Sequence, residues 1–535
     1  MQLSATTLNL ASIIEHHARI APDKEAIVWN EMRFTYKQLN GLANRVANAI
    51  VEMGIGHGDK IALVCPNLPF FPIVYYAIMK TGAVVVPLST LLKPREVAYH
   101  LRDSDAKAVF VFEGTPELPL AETVKEAFDQ VETCENIIVM TIDPLAPCAF
   151  ENCRSLTEIT KDQPETFDTF PTAPNDTCAI LYTSGTTGQP KGAELTHLNL
   201  MTNVTTTYGI HLAVLDFTDN VQKTCLITLP LFHTTGQTVQ MNVNLYAGNR
   251  VVLLPRFDAK ATLEAMEKER VNFWVGVPTM YWALLRYAEE NNFDTSRVAS
   301  TIKVCTSGGA PMPVEVMKDF QTRFGVRVLE GYGLSETSPL ATFNQFEKPS
   351  KAGTVGQPIF GVDVRCFDED DKEVPPGTRG EIVIRGSNVM KGYYKRPEAT
   401  AEAFKNGWFH TGDIGVFDED GYLSVVDRKK DMILRGGYNI YPRELEEIIM
   451  THEAVSLVAV IGIPDDRLGE EVKAFVVKKA GAEISEEEFL SWCKIQFANY
   501  KYPRFVEFRV ELPVGGTGKI FKRALRETGE TNNAK

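Results

Sequence analysis

The 535-residue chain predicts an α/β fold, and three observations carry that reading. Short β-branched runs alternate with helix-period segments over most of its length, the pattern of layered sheets covered by helices on both faces. Between Gly361 and Arg385 this gives way to short strands and turn residues (Pro375-Pro376-Gly377), which predicts a smaller β-rich subdomain. A new α/β unit follows the charged run Asp427-Arg428-Lys429-Lys430-Asp431, which is unsuited to a core. A chain of this length exceeds one ordinary core, so three or four compact units are expected.

The elements follow in order. The first twenty residues lack a basic start followed by a long apolar run, so no signal peptide is expected. Lys60-Ile-Ala-Leu-Val64 reads as a strand. The most apolar stretch, Phe70 to Leu88, is interrupted by Lys80 and Gly82. It predicts a buried helix followed by a buried strand at Ala83-Val84-Val85-Val86, and no transmembrane segment. Ala108-Val-Phe-Val-Phe112, Arg250-Val-Val-Leu-Leu254 and Arg327-Val-Leu329 read as further strands, and Ala261 to Glu269 as a helix. Pro442 suits a first helical turn, and Ser485 with Glu488 forms a capping box. Gly515-Gly-Thr-Gly-Lys519 is expected to be a mobile loop. No solenoid repeat or low-complexity tract interrupts the pattern.

Composition narrows the function classes. The residues are 44% hydrophobic and 23% charged, as in a soluble globular protein. A formal charge of −14 argues against a nucleic-acid partner, which needs clustered Lys and Arg. A small anionic substrate must therefore meet a local positive site. The nine cysteines contain no CxxC pair, so buried thiols in a reducing compartment are expected, with neither zinc nor disulfides. The nine histidines show no metal-ligand spacing either. The C-terminus carries neither a CaaX box nor an SKL address, and a cytoplasmic location is expected. Weak membrane-surface contact stays open, as does the choice between monomer and homodimer.

Four segments carry chemistry. In Ile180-Leu-Tyr-Thr-Ser-Gly-Thr-Thr-Gly-Gln-Pro-Lys-Gly192 an apolar strand enters a loop dense in hydroxyls, Thr183, Ser184, Thr186 and Thr187, with Gly185 and Gly188. Glycines let successive N–H groups face one concavity that suits polyphosphate oxygens, and Lys191 adds a compact cation. It is not a P-loop, since Pro190 stands where GxxxxGK needs glycine. In Leu329-Glu-Gly-Tyr-Gly-Leu-Ser-Glu-Thr337, Gly331 and Gly333 allow close approach to a flat ligand on which Tyr332 can stack. There Ser335 can donate to a phosphate, and Glu336 offers hard oxygen to Mg²⁺. In Trp408-Phe-His-Thr-Gly-Asp-Ile-Gly415 the carboxylate of Asp413 suits paired ribose hydroxyls, with Arg428 a second contact; alone, Asp413 reads equally well as a turn cap. In Leu512-Pro-Val-Gly-Gly-Thr-Gly-Lys519 one lysine ends a glycine-rich loop, and alone it reads as a solvated surface group.

Together and in this order, the four segments resemble the adenylate-forming superfamily of acyl-CoA synthetases, peptide-synthetase adenylation domains and firefly-luciferase-type enzymes. The resemblance runs over about residues 10–525. It implies an N-terminal AMP-binding domain over 1–426, a hinge at 427–430 with Lys430 the hinge residue, and a small mobile C-terminal lid over 431–535. By motif position, Thr183 to Lys191 is the phosphate loop, Glu336 the magnesium ligand, and Ser335 stands where the family usually has Thr. Gly331, Tyr332 and Gly333 would border adenine, and Asp413 and Arg428 would hold the ribose. Lys519 matches the lysine that the lid inserts between the substrate carboxylate and the α-phosphate.

The resemblance extends to both remaining substrates. Leu434-Arg-Gly-Gly-Tyr-Asn-Ile-Tyr-Pro-Arg-Glu-Leu445 is similar to the lid loop of the thiolation state, with Gly436 and Gly437 at the pantetheine tunnel. Coenzyme A is the expected acceptor. Pro230-Leu-Phe-His-Thr-Thr-Gly-Gln237, Gly276-Val-Pro-Thr-Met-Tyr281 and Thr306-Ser-Gly-Gly-Ala-Pro-Met312 match the acyl-pocket segments. They supply His233, Val277, Ser307, Gly308, Gly309 and Ala310. Their apolar content favours an uncharged chain or ring. The wording is most similar to fatty acyl-CoA ligases, which implies a medium- or long-chain fatty acid, ATP and Mg²⁺. An aryl-CoA ligase of the 4-coumarate type, a fatty acyl-AMP ligase loading a carrier protein, a light-emitting luciferase-like enzyme and a nucleotide-binding protein without catalysis are the alternatives.

Overall fold

A computed structural model of the protein describes residues 6–531, apart from 145, 147, 149, 152, 184–188, 213–220, 349, 429–430 and 466. The fold is mixed α/β, with four sheets among the described residues. The first has nine strands, in the spatial order Gln357–Pro358, Leu340–Phe343, Val328–Gly333, Val304–Gly308, Phe273–Gly276, Thr224–Ile227, Arg250–Leu253, Glu25–Trp29, Met32–Thr35. Its central pairs are parallel and its edges antiparallel. The second has eight strands, with Thr177–Thr183, Val84–Pro87, Lys60–Val64, Ala106–Phe112 and Asn136–Met140 running parallel at its centre. These are near-continuous apolar runs, as strands buried on both faces require.

The helix Phe70–Lys80 shows how the two large sheets are joined. Ten of its eleven residues are buried, so it has no solvated face. It packs on Lys60–Val64 and Val84–Pro87 of the eight-stranded sheet. From its other side Tyr76 donates to Asn242 Oδ1 at 2.7 Å, and Asn242 Nδ2 donates to Tyr75 Oη at 3.1 Å. Asn242 ends a helix packed against the nine-stranded sheet. Lys80, buried in the last turn, is paired with Glu15.

The β-rich piece is a five-stranded antiparallel sheet that includes Val362–Phe367, Gly380–Gly386, Trp408–Phe417 and Leu423–Arg428. The fourth sheet, built from Ile433–Arg435 onward, has the hairpin Val455–Asp465 with Gly469–Lys478 at its centre. Pro442 opens the helix Pro442–Ile449, and Ser485 with Glu488 closes a capping box on Glu486–Gln496, as the sequence predicts. Among the described residues no helix is long and apolar enough to cross a membrane.

One expectation is corrected. Cys148 and Cys153 form a disulfide, Cα–Cα 6.3 Å; five residues of separation bring the thiols together without a CxxC spacing. The other seven cysteines are free and buried. Gly331 to Gly333 ends the strand Val328–Gly333, paired there with Leu340–Phe343. Gly515 to Lys519 is a loop, as the sequence predicts, and hydrogen bonds close it into a hairpin. Val514 bridges Ile520, Gly515 N–H donates to Lys519 O at 2.7 Å, and Gly518 N–H to Gly515 O at 2.9 Å.

Candidate active site

The strands Thr177–Thr183, Val304–Gly308 and Val328–Gly333 each carry expected site residues at their carboxyl ends. Ligand sites of open α/β sheets lie at such ends. Thr183 is paired in register with Lys191 on the returning strand Lys191–Thr196. Ser184, Gly185, Thr186, Thr187 and Gly188 lie outside the described residues.

Thr183 Oγ1 donates to Glu336 Oε1 at 3.2 Å. The same oxygen accepts Tyr393 Oη–H at 3.0 Å, and Lys191 Nζ lies 5.3 Å over the Tyr393 ring. Glu336 is buried in the short helix Ser335–Thr337, and burial holds its carboxyl above the usual range despite these donors. Ser335 opens that helix, half-buried. Among the described residues no cluster of three acidic, His or Cys side chains could hold a metal alone. One buried carboxylate beside Thr183 and Tyr393 offers the hard oxygen that a magnesium ion takes.

A second corner forms around Asp413. Its Oδ2 accepts Tyr332 Oη–H at 2.7 Å and its Oδ1 pairs with Arg428 Nε at 3.2 Å. Asp413 and Arg428 lie opposite each other in register on neighbouring strands. The Thr411-Gly412 step bends one continuous strand, Trp408–Phe417, and Asp413 N–H donates to Thr411 Oγ1 at 3.0 Å. The corner thus joins a carboxylate, a phenol and a guanidinium at one point. Gly333 answers first to the protein: a Cβ there would lie 1.7 Å from Pro339 O.

Lys519 reaches this site from the last quarter of the chain. Its hairpin docks through Gly518 O, which accepts Thr279 Oγ1–H, and its side chain lies against Gly309, where a Cβ would sit 2.7 Å from Lys519 Cε. Lys519 shares a cavity with His233, Val275, Val277, Gly308 and Gly309. Burial, with Arg428 nearby, pushes its ammonium down to about 8, against the pull of Asp413. Burial, then Lys519, pushes His233 down to about 3, so the imidazole is neutral. Its Nδ1 accepts Thr235 N–H at 3.3 Å, which leaves Nε2 as the proton-bearing nitrogen. Ser307 is buried with its hydroxyl 3.7 Å from Met312 Sδ, and Ala310 follows the strand end; neither lines the cavity.

The family model described as AMP-binding enzyme matches residues 14–394, and that of the AMP-binding enzyme C-terminal domain matches residues 444–519. The chain belongs to the AMP-binding enzyme family. A long-chain-fatty-acid–CoA ligase of Bacillus subtilis is 36% identical, over 99% of this chain and 96% of its own length. A feruloyl-CoA synthase of Amycolatopsis is 38% identical, over 95% and 96%. The structure of ATP-bound MatB from Rhodopseudomonas palustris superposes with a TM-score of 0.86 at 33% identity, covering 97% of this chain and 99% of that one. The fatty acyl CoA synthetase of Mycobacterium tuberculosis gives 0.74 at 33%, over 98% and 99%.

In this AMP-binding enzyme Gly436 and Gly437 form the exposed turn between Ile433–Arg435 and Tyr438–Ile440, with φ of +56° and +84°. A Cβ on Gly437 would meet nothing within 4 Å. Lys430 lies outside the described residues. Two site residues escaped the sequence reading. Tyr393 sits in an unremarkable Gly-Tyr-Tyr stretch, and only its pairing with Lys191–Thr196 brings it to Glu336. Glu330 is buried with Oε1 accepting Met312 N–H at 3.0 Å, and burial lifts its carboxyl to about 7 against the pull of Arg443. A carboxylate beside Gly331-Tyr332-Gly333 was its one signal.

Proposed function

We propose that this AMP-binding enzyme activates a medium- or long-chain fatty acid as its acyl-adenylate, releases pyrophosphate, and passes the acyl group to coenzyme A. The observation that carries the reading is Lys519, a half-buried ammonium that lines one cavity with Val275, Val277 and two glycines. A carboxylate has no good leaving group; joining it to the α-phosphate makes AMP the leaving group. The encounter is between anions, so fixed cations and N–H donors supply most of the rate gain. Lys519 bridges the carboxylate and α-phosphate, and Ser335 donates to the latter. Lys191 and the sequence segment 183–188 cradle the β- and γ-phosphates, while Asp413 and Arg428 hold the ribose. Glu336 would hold a magnesium ion, whose charge would offset that of the phosphates. Neutral His233 closes the pocket without adding a charge beside the acid.

The second step needs a thiol where Lys519 now lies. Residues 431–535 therefore rotate as a lid about 427–430, withdrawing Lys519 and bringing Gly436 and Gly437 to the acyl-adenylate. A second reading, an aryl-CoA ligase of the 4-coumarate type, is favoured by the 38% identity to a feruloyl-CoA synthase. The deciding experiment is AMP release from acids running from acetate to stearate, plus cinnamates, with and without coenzyme A. Turnover that ignores coenzyme A but loads a carrier protein would replace the proposed acceptor, and no AMP with any acid would end the proposal.

A further inference from the structure

The helix after His233 carries polar side chains that this chemistry does not use. Thr235–Asn242 is π-helical, a form that is rare and frequent at functional sites. Two of its amides are fully employed. Gln240 accepts Leu229 N–H at 3.3 Å and donates to the carbonyls of Leu226 at 3.1 Å and Val275 at 3.2 Å. Asn242 joins Tyr75 and Tyr76. Gln237 differs: its side chain is fully buried, yet neither Oε1 nor Nε2 has a hydrogen-bond partner among the described residues. The hydroxyls of Thr234 and Thr238, also fully buried, have none either.

Buried polar groups are almost always paired, and a cluster of unpaired ones asks for an absent partner. Position says where that partner enters. Gln237 N–H donates to His233 O at 3.1 Å, so Gln237 stands one turn beyond His233 on the same helix face. His233 lines the cavity that holds Lys519. Thr235 lines that cavity too, and Thr234, Gln237 and Thr238 adjoin these two residues along the chain without lining it themselves.

We propose that Gln237, with Thr234 and Thr238, forms a polar subsite at the far end of the acyl pocket that hydrogen-bonds a hydroxyl on the tail of the acid. The inference rests on the acyl-activation reading above. A carboxamide offers one donor group and one acceptor, and a hydroxyl answers both. A phenolic aryl acid and a hydroxy fatty acid share this chemistry. Sites that hydrogen-bond a substrate hydroxyl discriminate against analogues lacking it, because the buried partners are then left unpaired.

The test compares kcat/KM for pyrophosphate release by the full-length enzyme on two matched pairs: cinnamate against its para-hydroxy analogue, and dodecanoate against its ω-hydroxy analogue. The wild type is expected to prefer the hydroxylated member of at least one pair by about 10-fold or more, and the preferred pair identifies the ligand type. Gln237→Leu, or the closer-fitting Gln237→Met, is expected to abolish that preference while still turning over the plain acid. Equal use of both members of both pairs by the wild type overturns the proposal and leaves an ordered water as the partner of Gln237. A preference that survives both substitutions overturns it as well. Pyrophosphate release with no acid at all defeats the activation reading itself, a different result in the same assay.

Discussion

Lys519 holds its charge in a place that disfavours it, and the balance is readable in a pH profile. Burial and Arg428 lower its ammonium to about 8, so the free enzyme carries the charge below that pH and loses it above. The kcat/KM for adenylation is expected to fall along an alkaline limb near pH 8, since that parameter reports the free enzyme. Bound triphosphate favours the charged form, so the limb in kcat moves higher. Lys519→Arg removes the limb, because guanidinium stays protonated throughout; a limb unchanged in that variant assigns it to another group. Lys519→Ala is expected to lower adenylation by roughly 10²-fold or more. It should spare thioester formation from supplied acyl-adenylate, and equal losses in both half-reactions would sink the assignment. Neighbouring residues differ in how plainly the sequence showed them. Glu336 and Asp413 stood in recognisable strings, whereas Tyr393 did not, because its role depends on a neighbour 57 positions away.

Element pairing sets the next scale. The strand Val328–Gly333 ends against Pro339, and a Cβ at Gly333 would meet Pro339 O. Gly333→Ala is therefore expected to cost about 1–3 kcal/mol in urea unfolding, the usual price of forcing atoms into a filled site, and to raise the KM for ATP. Unchanged stability would show that the strand end can move aside. Tyr76→Phe leaves Asn242 Oδ1 unpaired between the two large sheets and is expected to cost about 1–3 kcal/mol by the same measurement. Strand and helix types were legible here from periodicity: Lys60–Val64 falls where it was predicted, and Phe70–Lys80 with Val84–Pro87 forms the predicted helix and strand. The extension of Arg327-Val-Leu329 through Gly333 was not, because glycine weakens a local strand signal that tertiary pairing overrides.

At the scale of the whole molecule, the C-terminal unit is docked in the orientation that sets Lys519 against Gly309. Trp282 Nε1 donates to Ser456 Oγ at 2.8 Å, and Thr279 Oγ1 donates to Gly518 O, both across the join. The proposed two-step cycle requires these bonds to break between half-reactions. Proline fixes φ, so Lys430→Pro is expected to leave pyrophosphate release near the wild-type rate and to slow thioester formation by about 10-fold or more. Stopped-flow measurement of each half-reaction checks this; a variant equally fast in both would remove Lys430 from the hinge.

By itself the sequence determined the kinds of element, the α/β class and the inventory of hydroxyls, carboxylates and lysines in their order, since local periodicity and turn chemistry are written in neighbouring residues. Only the tertiary structure decided who meets whom. Thr183 and Glu336 are 153 positions apart and share a hydrogen bond, while Gly309 and Lys519 come from different sheets' surroundings and touch. Such meetings are set by strand register and by the packing of distant apolar faces, and spacing along the chain does not encode them. The same holds for Gln237: its burial follows from the helix around it, but its want of a partner emerges only once every neighbour is in place.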